Sequence, residues 1–159
     1  NVYSEPGHGT TIKIYLPRHV GKVEVIQKER TAEIPPGRGE TILLVEDDLS
    51  ILKLARNILE GLGYIVLTAG TPGEAIGLAE EHAGGVHLLV TDVIMPKMNG
   101  RELSERLQHI YPDLKYMFMS GYTADIISHH GVLKEGVKFI QKPFSKRDLA
   151  IIVRNALDE

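Results

Sequence analysis

The sequence predicts an α/β fold in which five parallel strands form a doubly wound sheet in the order 2-1-3-4-5, with five helices and an additional N-terminal β-strand. Two observations predict it. Apolar runs alternate with helical patterns five times after residue 39, and most of these runs are continuously apolar, as strands covered on both faces are. Repeated β-α units of this kind require parallel strands joined by right-handed crossovers, which leaves few possible strand orders.

The composition fits one ordinary domain with an added segment. The chain has 159 residues, of which 43% are hydrophobic, and a formal net charge of −3 with acids and bases interspersed. This balance predicts no nucleic-acid surface and no membrane contact. No apolar run has transmembrane length, no signal peptide opens the chain and cysteine is absent, so we expect a reducing, cytoplasmic location. Because the first residue is asparagine, we expect a piece of a longer protein.

Residues 1–17 predict a turn followed by one strand. The turn cluster is Ser4-Glu5-Pro6-Gly7-His8-Gly9-Thr10, and the residues from Thr11 to Leu16 alternate as in a strand. A single strand cannot bury its own face, so this segment needs a partner sheet. We therefore treat residues 1–17 as a remnant of another domain.

Residues 18–39 predict a linker between this remnant and the main domain. The strong periodicity is lost here, and the segment ends in Ile34-Pro35-Pro36-Gly37-Arg38-Gly39, a composition typical of connecting chain. The domain boundary is therefore placed at Gly39, with the main domain at residues 40–159.

The strands and helices of the main domain are predicted from apolar runs, apolar spacing and capping residues. In the first helix, the spacing predicts an inward face at Ile51, Ala55, Ile58 and Leu62. In the second, Thr71 and Glu74 predict a capping box. The predicted strands are Thr41–Val45, Ile65–Ala69, Val86–Thr91, Tyr116–Met119 and Val137–Ile140. The predicted helices are Ile51–Leu62, Thr71–Ala79, Leu103–Ile110, Thr123–His130 and Ser145–Ala156.

Carboxylates follow two of the predicted strands. Glu46, Asp47 and Asp48 come after the first strand, and Asp92 comes after the third. Because the carboxyl ends of parallel strands meet at one edge of the sheet, these acids are expected to lie together. Three carboxylates in a partly buried pocket repel one another unless a cation lies among them, and Mg²⁺ suits this sparse set of oxygen ligands. Asp48 is interpreted as a cap of the next helix.

A hydroxyl and an ammonium follow the other two strands at this edge. Ser120 ends the fourth strand and Lys142 follows the fifth. A metal ion on one side, with an ammonium and a hydroxyl on the other, suits the three equatorial oxygens of a transferring phosphoryl group. Asp92 would then be the nucleophile and form an acyl phosphate. A structural ion pair between Lys142 and Asp92 is the alternative, and it can hold in the resting state while the phosphoryl contact holds in the modified one.

Four segments, over residues 41–157, together resemble the receiver domain of two-component response regulators. The segments are Ile42-Leu43-Leu44-Val45-Glu46-Asp47-Asp48, Asp92-Val93-Ile94-Met95-Pro96 with Asn99-Gly100, Met119-Ser120-Gly121-Tyr122, and Lys142-Pro143-Phe144. Their joint order and spacing make the resemblance specific. It implies a flavodoxin-like fold and a phosphoacceptor function.

The resemblance also implies the metal and its ligands. Mg²⁺, or Mn²⁺ in its place, would be bound by Asp47, by Asp92 and by the backbone carbonyl of Ile94. Glu46 would be an outer ligand that acts through water. Glutamate stands here where aspartate is usual, and water-mediated ligation should absorb the added methylene.

On the phosphoryl side, the resemblance implies Asp92 as the phosphoacceptor. Ser120 and Lys142 would bind phosphoryl oxygens, and a cis bond would join Lys142 to Pro143. Phe139 occupies the position where a switching aromatic commonly lies. Because it has no hydroxyl, Phe139 coupled to Ser120 would be a packing switch, and the alternative is a plain core phenylalanine.

The N-terminal segment has a second resemblance. Its sequence Ser-Glu-Pro-Gly-His-Gly-Thr-Thr-Ile-Lys-Ile-Tyr-Leu-Pro, residues 4–17, is similar to the last hairpin of the ATP-binding domain of sensor histidine kinases. The segments that hold nucleotide in that family are missing, so we expect no ATP binding and no kinase activity from this chain. The two resemblances imply the receiver domain of a hybrid histidine kinase, whose parent chain is a protein-histidine phosphotransferase.

The implied function is the Mg²⁺-dependent transfer of a phosphoryl group from a phosphohistidine to Asp92. The donor or partner would be the chain's own histidine kinase, a partner kinase or a histidine phosphotransfer domain, and a dimer through the N-terminal strand or a receiver face is also expected. Two alternatives remain. A degenerate receiver would bind partners without phosphorylation, although the phosphorylation residues are intact. An aspartate-nucleophile Mg²⁺ phosphohydrolase would need an acid two residues after the nucleophile, where this chain has Ile94.

Overall fold

The computed structural model describes residues 2–15, 34–121 and 137–159. The chain divides into two compact units, residues 1–33 and residues 34–159. In the first unit, strands β1 (Val2–Glu5) and β2 (Gly9–Ile12) form an antiparallel hairpin in which every strand residue is exposed.

This hairpin corrects the prediction of one strand over Thr11–Leu16. The turn between the strands contains Gly7 and is followed by Gly9, and both glycines have a positive φ, at 81° and 85°. This backbone, which glycine adopts without strain, returns the chain onto residues 2–5. The strand thereby gains a partner within its own segment. The resemblance to a hairpin implied this pairing, whereas the short sequence before the turn did not predict it.

The second unit is built on five parallel strands. The strands are β3 (Thr41–Val45), β4 (Ile65–Ala69), β5 (Leu88–Asp92), β6 (Lys115–Ser120) and β7 (Phe139–Gln141). Their order is β4-β3-β5-β6-β7, and every pairing in the sheet is parallel. The predicted order 2-1-3-4-5 is therefore confirmed, and the strand bounds differ from the predicted ones by no more than two residues.

The described residues contain four helices: α1 (Leu49–Glu60), α2 (Pro72–Glu81), α3 (Gly100–Ile110) and α4 (Lys146–Asp158). The helix predicted over Thr123–His130 lies outside the described residues. None of the four helices is long and apolar enough to cross a membrane.

The helices cover both faces of the sheet. Buried residues of α1 and α4 share one core cluster with β3, β5 and β6, and buried residues of α2 and α3 share a second cluster with the other face of β3 and β5. Of the predicted inward face of the first helix, Ala55 and Leu62 are buried as expected. Ile51 and Ile58 are only partly buried, and their neighbours Leu52 and Leu59 are buried instead. Both sets have helical spacing, so packing against α4 and the sheet decides between them.

Side chains at the helix N-termini fix where two of these helices begin. The Thr71 hydroxyl accepts a hydrogen bond from the Glu74 N–H, but the Glu74 carboxylate accepts from the Gly70 N–H instead of returning to Thr71. The predicted capping box of α2 is therefore only half formed. A complete capping box opens α4, between Ser145 and Asp148.

The described end of the predicted linker, residues 34–39, belongs to the second unit. The Gly37 N–H donates to the Leu62 carbonyl at 2.7 Å, and a Cβ on Gly37 would lie 2.8 Å from the Tyr64 ring. Next along the chain, the Glu40 carboxylate accepts a hydrogen bond from the Arg154 guanidinium of α4 at 2.6 Å. Residues 34–40 therefore follow the surface of this unit closely.

Acid is expected to weaken this ion pair through Glu40. Burial alone would raise the pKa of Glu40, but hydrogen bonds from the Arg154 side chain and the Arg38 backbone lower it from 4.5 to about 2. Because this pKa is lower in the folded state, the stabilisation is complete above about pH 5 and is lost as the pH falls toward 2. We expect Glu40→Gln to lower the free energy of unfolding by about 1–2 kcal/mol near neutral pH, since solvent screens part of the full linkage value.

Urea unfolding of wild type and Glu40→Gln between about pH 7 and pH 3 measures this effect. The difference between the two proteins should shrink as the pH falls. Glu60→Gln is the matched control, because Glu60 forms an exposed ion pair with Arg56 within α1. A difference that stays constant with pH, or an equal loss in the control, would contradict the assignment to Glu40.

Candidate functional site

Four polar residues lie where four strands end, at one edge of the sheet. Glu46 directly follows β3, Asp92 is the last residue of β5, Ser120 is the last residue of β6, and Lys142 directly follows β7. The last two strand ends are joined by a hydrogen bond of 2.7 Å from the Lys142 N–H to the Ser120 carbonyl. Four segments distant in sequence thus bring their side chains to one edge, as predicted.

Three carboxylates meet at this edge. Glu46, Asp47 and Asp92 each offer one oxygen, and these oxygens lie within 4.8 Å of one another. Glu46 is buried, Asp92 is partly buried and Asp47 is exposed, so solvent reaches the cluster from the Asp47 side. A set of carboxylate oxygens open to water fits a hard divalent ion such as Mg²⁺, which keeps several of its waters.

The ammonium of Lys142 lies between two of these acids. It donates to Glu46 Oε2 at 2.5 Å and to Asp92 Oδ2 at 2.8 Å, and the Lys142 and Asp92 side chains are each only 13% exposed. Burial alone would lower the pKa of Lys142, but its hydrogen bonds with Asp92 and Glu46 raise it. Lys142 is therefore held as the charged ammonium, in the ion pair that the sequence offered as its resting state.

Burial acts in the opposite direction on Glu46. It raises the pKa of this carboxyl, and the Lys142 ammonium only partly offsets the rise. The neighbouring charge of Asp92 adds to the rise. Any removal of the ammonium would therefore leave this acid buried without compensation.

Asp48 stands apart from this cluster. Its carboxylate caps α1 by accepting hydrogen bonds from the Ser50 N–H at 2.7 Å and the Ile51 N–H at 3.2 Å. These backbone hydrogen bonds lower the pKa of Asp48. The interpretation of Asp48 as a helix cap is confirmed, and this residue provides a nearby acid that does not share the role of the other three.

The loop after β5 positions Asp92 through its backbone. The Ile94 N–H donates to Asp92 Oδ1 at 3.3 Å, and the Gly100 N–H donates to the Val93 carbonyl at 3.0 Å. A Cβ on Gly100 would lie 2.1 Å from the Asp92 carbonyl oxygen, so no side chain fits where α3 begins against the strand end. The sequence indicated an Asn-Gly turn at this point but gave no sign of this close approach.

Ser120 and Phe139 are placed by the last two strands. Ser120 is buried at the end of β6, and its register partner is Gln141. Phe139 pairs with Phe118 and packs into a small apolar cluster with Val93 and Phe118. A coupling of Ser120 to Phe139 as a packing switch stays a prediction. The peptide bond between Lys142 and Pro143 is cis, as the resemblance implied.

Comparison with known proteins identifies the class. Residues 42–154 match the response regulator receiver domain, and the chain belongs to this family. It is thus a receiver domain of two-component signal transduction, and the family function is that of a phosphoacceptor. Among solved structures, it resembles the receiver domain from the hybrid histidine kinase CckA, with 36% identity and a TM-score of 0.63 over 74% of this chain and 98% of that one.

Two of its relatives come from Brucella abortus. The chain is 34% identical to the sensor kinase CckA over 98% of its own length, but it spans only 17% of that kinase. It is 37% identical to the response regulator receiver protein CpdR, over 68% of this chain and 88% of that protein. A solved receiver domain protein from Clostridium thermocellum shares 28% identity and a TM-score of 0.66, over 75% of this chain and 94% of that one.

Proposed function

We propose that Asp92 accepts a phosphoryl group from a phosphohistidine in a Mg²⁺-dependent reaction, and that this step relays or regulates the signal of a hybrid histidine kinase. The main support is the placement of Asp92. It is the partly buried carboxylate that lies close to two further acids and also accepts a hydrogen bond from the Lys142 ammonium. Carboxylates on one side and an ammonium on the other are the environment that phosphoryl transfer needs.

The acidic residues at this edge would bind the metal ion. Asp47, Asp92 and the Ile94 carbonyl would hold the ion directly, and Glu46 would hold it through water. Bound Mg²⁺, or Mn²⁺ in its place, supplies positive charge that offsets the charge of the transferring group.

The transfer itself forms one bond and breaks one. An Asp92 carboxylate oxygen attacks phosphorus, the bond from phosphorus to the donor's imidazole nitrogen breaks, and that nitrogen keeps the electron pair and takes up a proton. Lys142 then shifts its hydrogen bond from the carboxylate to a phosphoryl oxygen, and the Ser120 hydroxyl donates to another. The added charge and acceptor oxygens would change the position of the Ser120 hydroxyl and the packing of Phe139.

We also infer that the chain comes from a hybrid sensor histidine kinase and acts in the cytoplasm, where such a kinase meets ATP. Its similarity to a sensor kinase extends over almost the whole chain, including the hairpin. Residues 1–17 would be the end of the kinase ATP-binding domain, residues 18–39 the linker and residues 40–159 the receiver. The exposed side chains of Val2, Tyr3 and Ile12 suit strands taken from a larger sheet and favour pairing with a second copy.

Binding of beryllofluoride, which mimics a phosphoryl group on a carboxylate, tests the proposed site. We expect a protein-bound fluorine resonance in ¹⁹F NMR with wild type and Mg²⁺, and none with EDTA or with Asp92→Asn. Asp48→Asn is the matched control, because asparagine caps a helix as well as aspartate does, and it should bind as wild type does. Absence of a bound resonance in wild type would contradict the proposal and favour a degenerate receiver, and steady turnover of a phosphate ester would favour a hydrolase.

A further inference from the structure

Glu46 is almost completely enclosed by the protein. Its side chain is only 1% exposed. Oε2 accepts a hydrogen bond from the Lys142 ammonium, and Oε1 accepts a longer one, at 3.4 Å, from the Asp48 N–H. Both oxygens therefore have protein partners, and the stronger bond goes to the lysine that also contacts the phosphoacceptor.

The strand order explains why this contact needs a long acid. Glu46 follows β3 and Lys142 follows β7, with β5 and β6 between them. Three inter-strand spacings amount to about 14 Å, so two long side chains must extend toward each other above Asp92 to meet. Aspartate at position 46 would be about 1.3 Å shorter, which is enough to break a hydrogen bond of normal length.

The position of the ammonium also bears on metal binding. Lys142 Nζ lies within hydrogen-bonding distance of Glu46 and Asp92, and these two acids belong to the cluster whose oxygens could hold an ion. A divalent ion and the ammonium therefore compete for the same two carboxylates, and like charges placed this close repel. A stronger interaction of Lys142 with these carboxylates weakens the binding of the ion.

We propose that Glu46 is a positioning residue that holds Lys142 above Asp92 in the resting state and thereby sets the affinity of the site for its divalent ion. This inference rests on the proposed function, since it concerns the same site. Glutamate at position 46 is then more than a substitute for aspartate, because its extra methylene reaches the lysine. The ion binds only after Lys142 has given up at least one of its two carboxylates.

Two substitutions separate this role from simple outer ligation. Glu46→Asp keeps the charge but loses the reach, so Mg²⁺ should bind about three to ten times more tightly, the equivalent of one lost hydrogen bond. Glu46→Gln keeps the reach but loses the charge that attracts both the ion and the ammonium, so Mg²⁺ should gain less affinity than it does with Glu46→Asp. The proposal requires the gain for Glu46→Asp, whereas an outer ligand with no link to Lys142 gives none.

Calorimetric titration with Mg²⁺ measures both affinities without any phosphorylation step. Lys142→Met should by itself tighten Mg²⁺ binding by removing the competing ammonium, and Glu46→Asp should add less than twofold in that background. Equal or weaker Mg²⁺ binding by Glu46→Asp would overturn the proposal, as would a gain that persists in full without Lys142. If Glu46→Asp does not fold without metal, the Lys142→Met titration decides, because weaker Mg²⁺ binding by that variant also overturns it.

The failure of this inference is distinguishable from failure of the proposed function. Phosphoacceptor activity depends on Asp92 and is read by beryllofluoride binding, whereas the Glu46 series is read by Mg²⁺ affinity alone. A wild type that binds beryllofluoride while Glu46→Asp shows no gain in affinity would remove the role of Glu46 and keep that of Asp92. The melting temperature in EDTA gives a second readout, since loss of the Lys142 contact should lower it by about 2–6 °C in Glu46→Asp.

Discussion

Replacing Lys142 with methionine is expected to lower the free energy of unfolding in metal-free buffer by about 3–5 kcal/mol, the usual cost of breaking a buried ion pair by removing one partner. The ammonium donates to both Glu46 and Asp92, and these side chains are 1% and 13% exposed. Methionine keeps most of the apolar stem and removes the charge. The loss therefore reports the electrostatics of two enclosed carboxylates that face each other without their shared cation.

Mg²⁺ should reverse much of this loss, because a divalent ion supplies the missing positive charge and binds only the folded state. Urea unfolding of wild type and Lys142→Met, in EDTA and in excess Mg²⁺, gives the four free energies of unfolding that this comparison needs. Lys53→Met on the exposed side of α1 is the matched control and should change the free energy of unfolding by less than about 0.5 kcal/mol. A loss of the same size with and without Mg²⁺ would contradict this account, because the ion would then not replace the charge of Lys142.

Much of the fold and the site could be predicted because each follows from local sequence. Five apolar runs, most of them continuously apolar, predicted the parallel sheet, and the rule that strand ends converge predicted that Asp47, Asp92 and Lys142 would meet. Both inferences need only the type of residue and its place along a strand. The structure brings these residues to one edge, with the ammonium 2.8 Å from Asp92.

The remaining features depend on distances across the fold. That Lys142 also reaches Glu46 follows from the lengths of two side chains over three strand spacings, which no local pattern contains. Gly100 appeared only as part of a turn, and its need to be glycine comes from the Asp92 carbonyl that the packed helix approaches. Likewise, Ile51 and Leu52 both fit a helical stripe, and the facing helix decides which is buried.

The second large effect is expected at Asp92 itself, because an amide cannot take the place of a carboxylate as the nucleophile. Wild type incubated with acetyl phosphate and Mg²⁺ should take up one phosphoryl group. The extent of labelling of Asp92→Asn should be lower by a factor of at least about 100. Asp48→Asn, which keeps its cap on α1, should be labelled as wild type is. EDTA should abolish the labelling in every protein that shows it.

Locating the acyl phosphate in the sequence tests the assignment of Asp92 as the phosphoacceptor most directly. Borohydride reduces an aspartyl phosphate to homoserine and releases phosphate, so mass spectrometry of the labelled and reduced protein identifies the residue that carried the group. We expect homoserine at position 92 and nowhere else, only after incubation with both acetyl phosphate and Mg²⁺. Homoserine at position 47 or 48, or labelling that survives Asp92→Asn, would contradict the account.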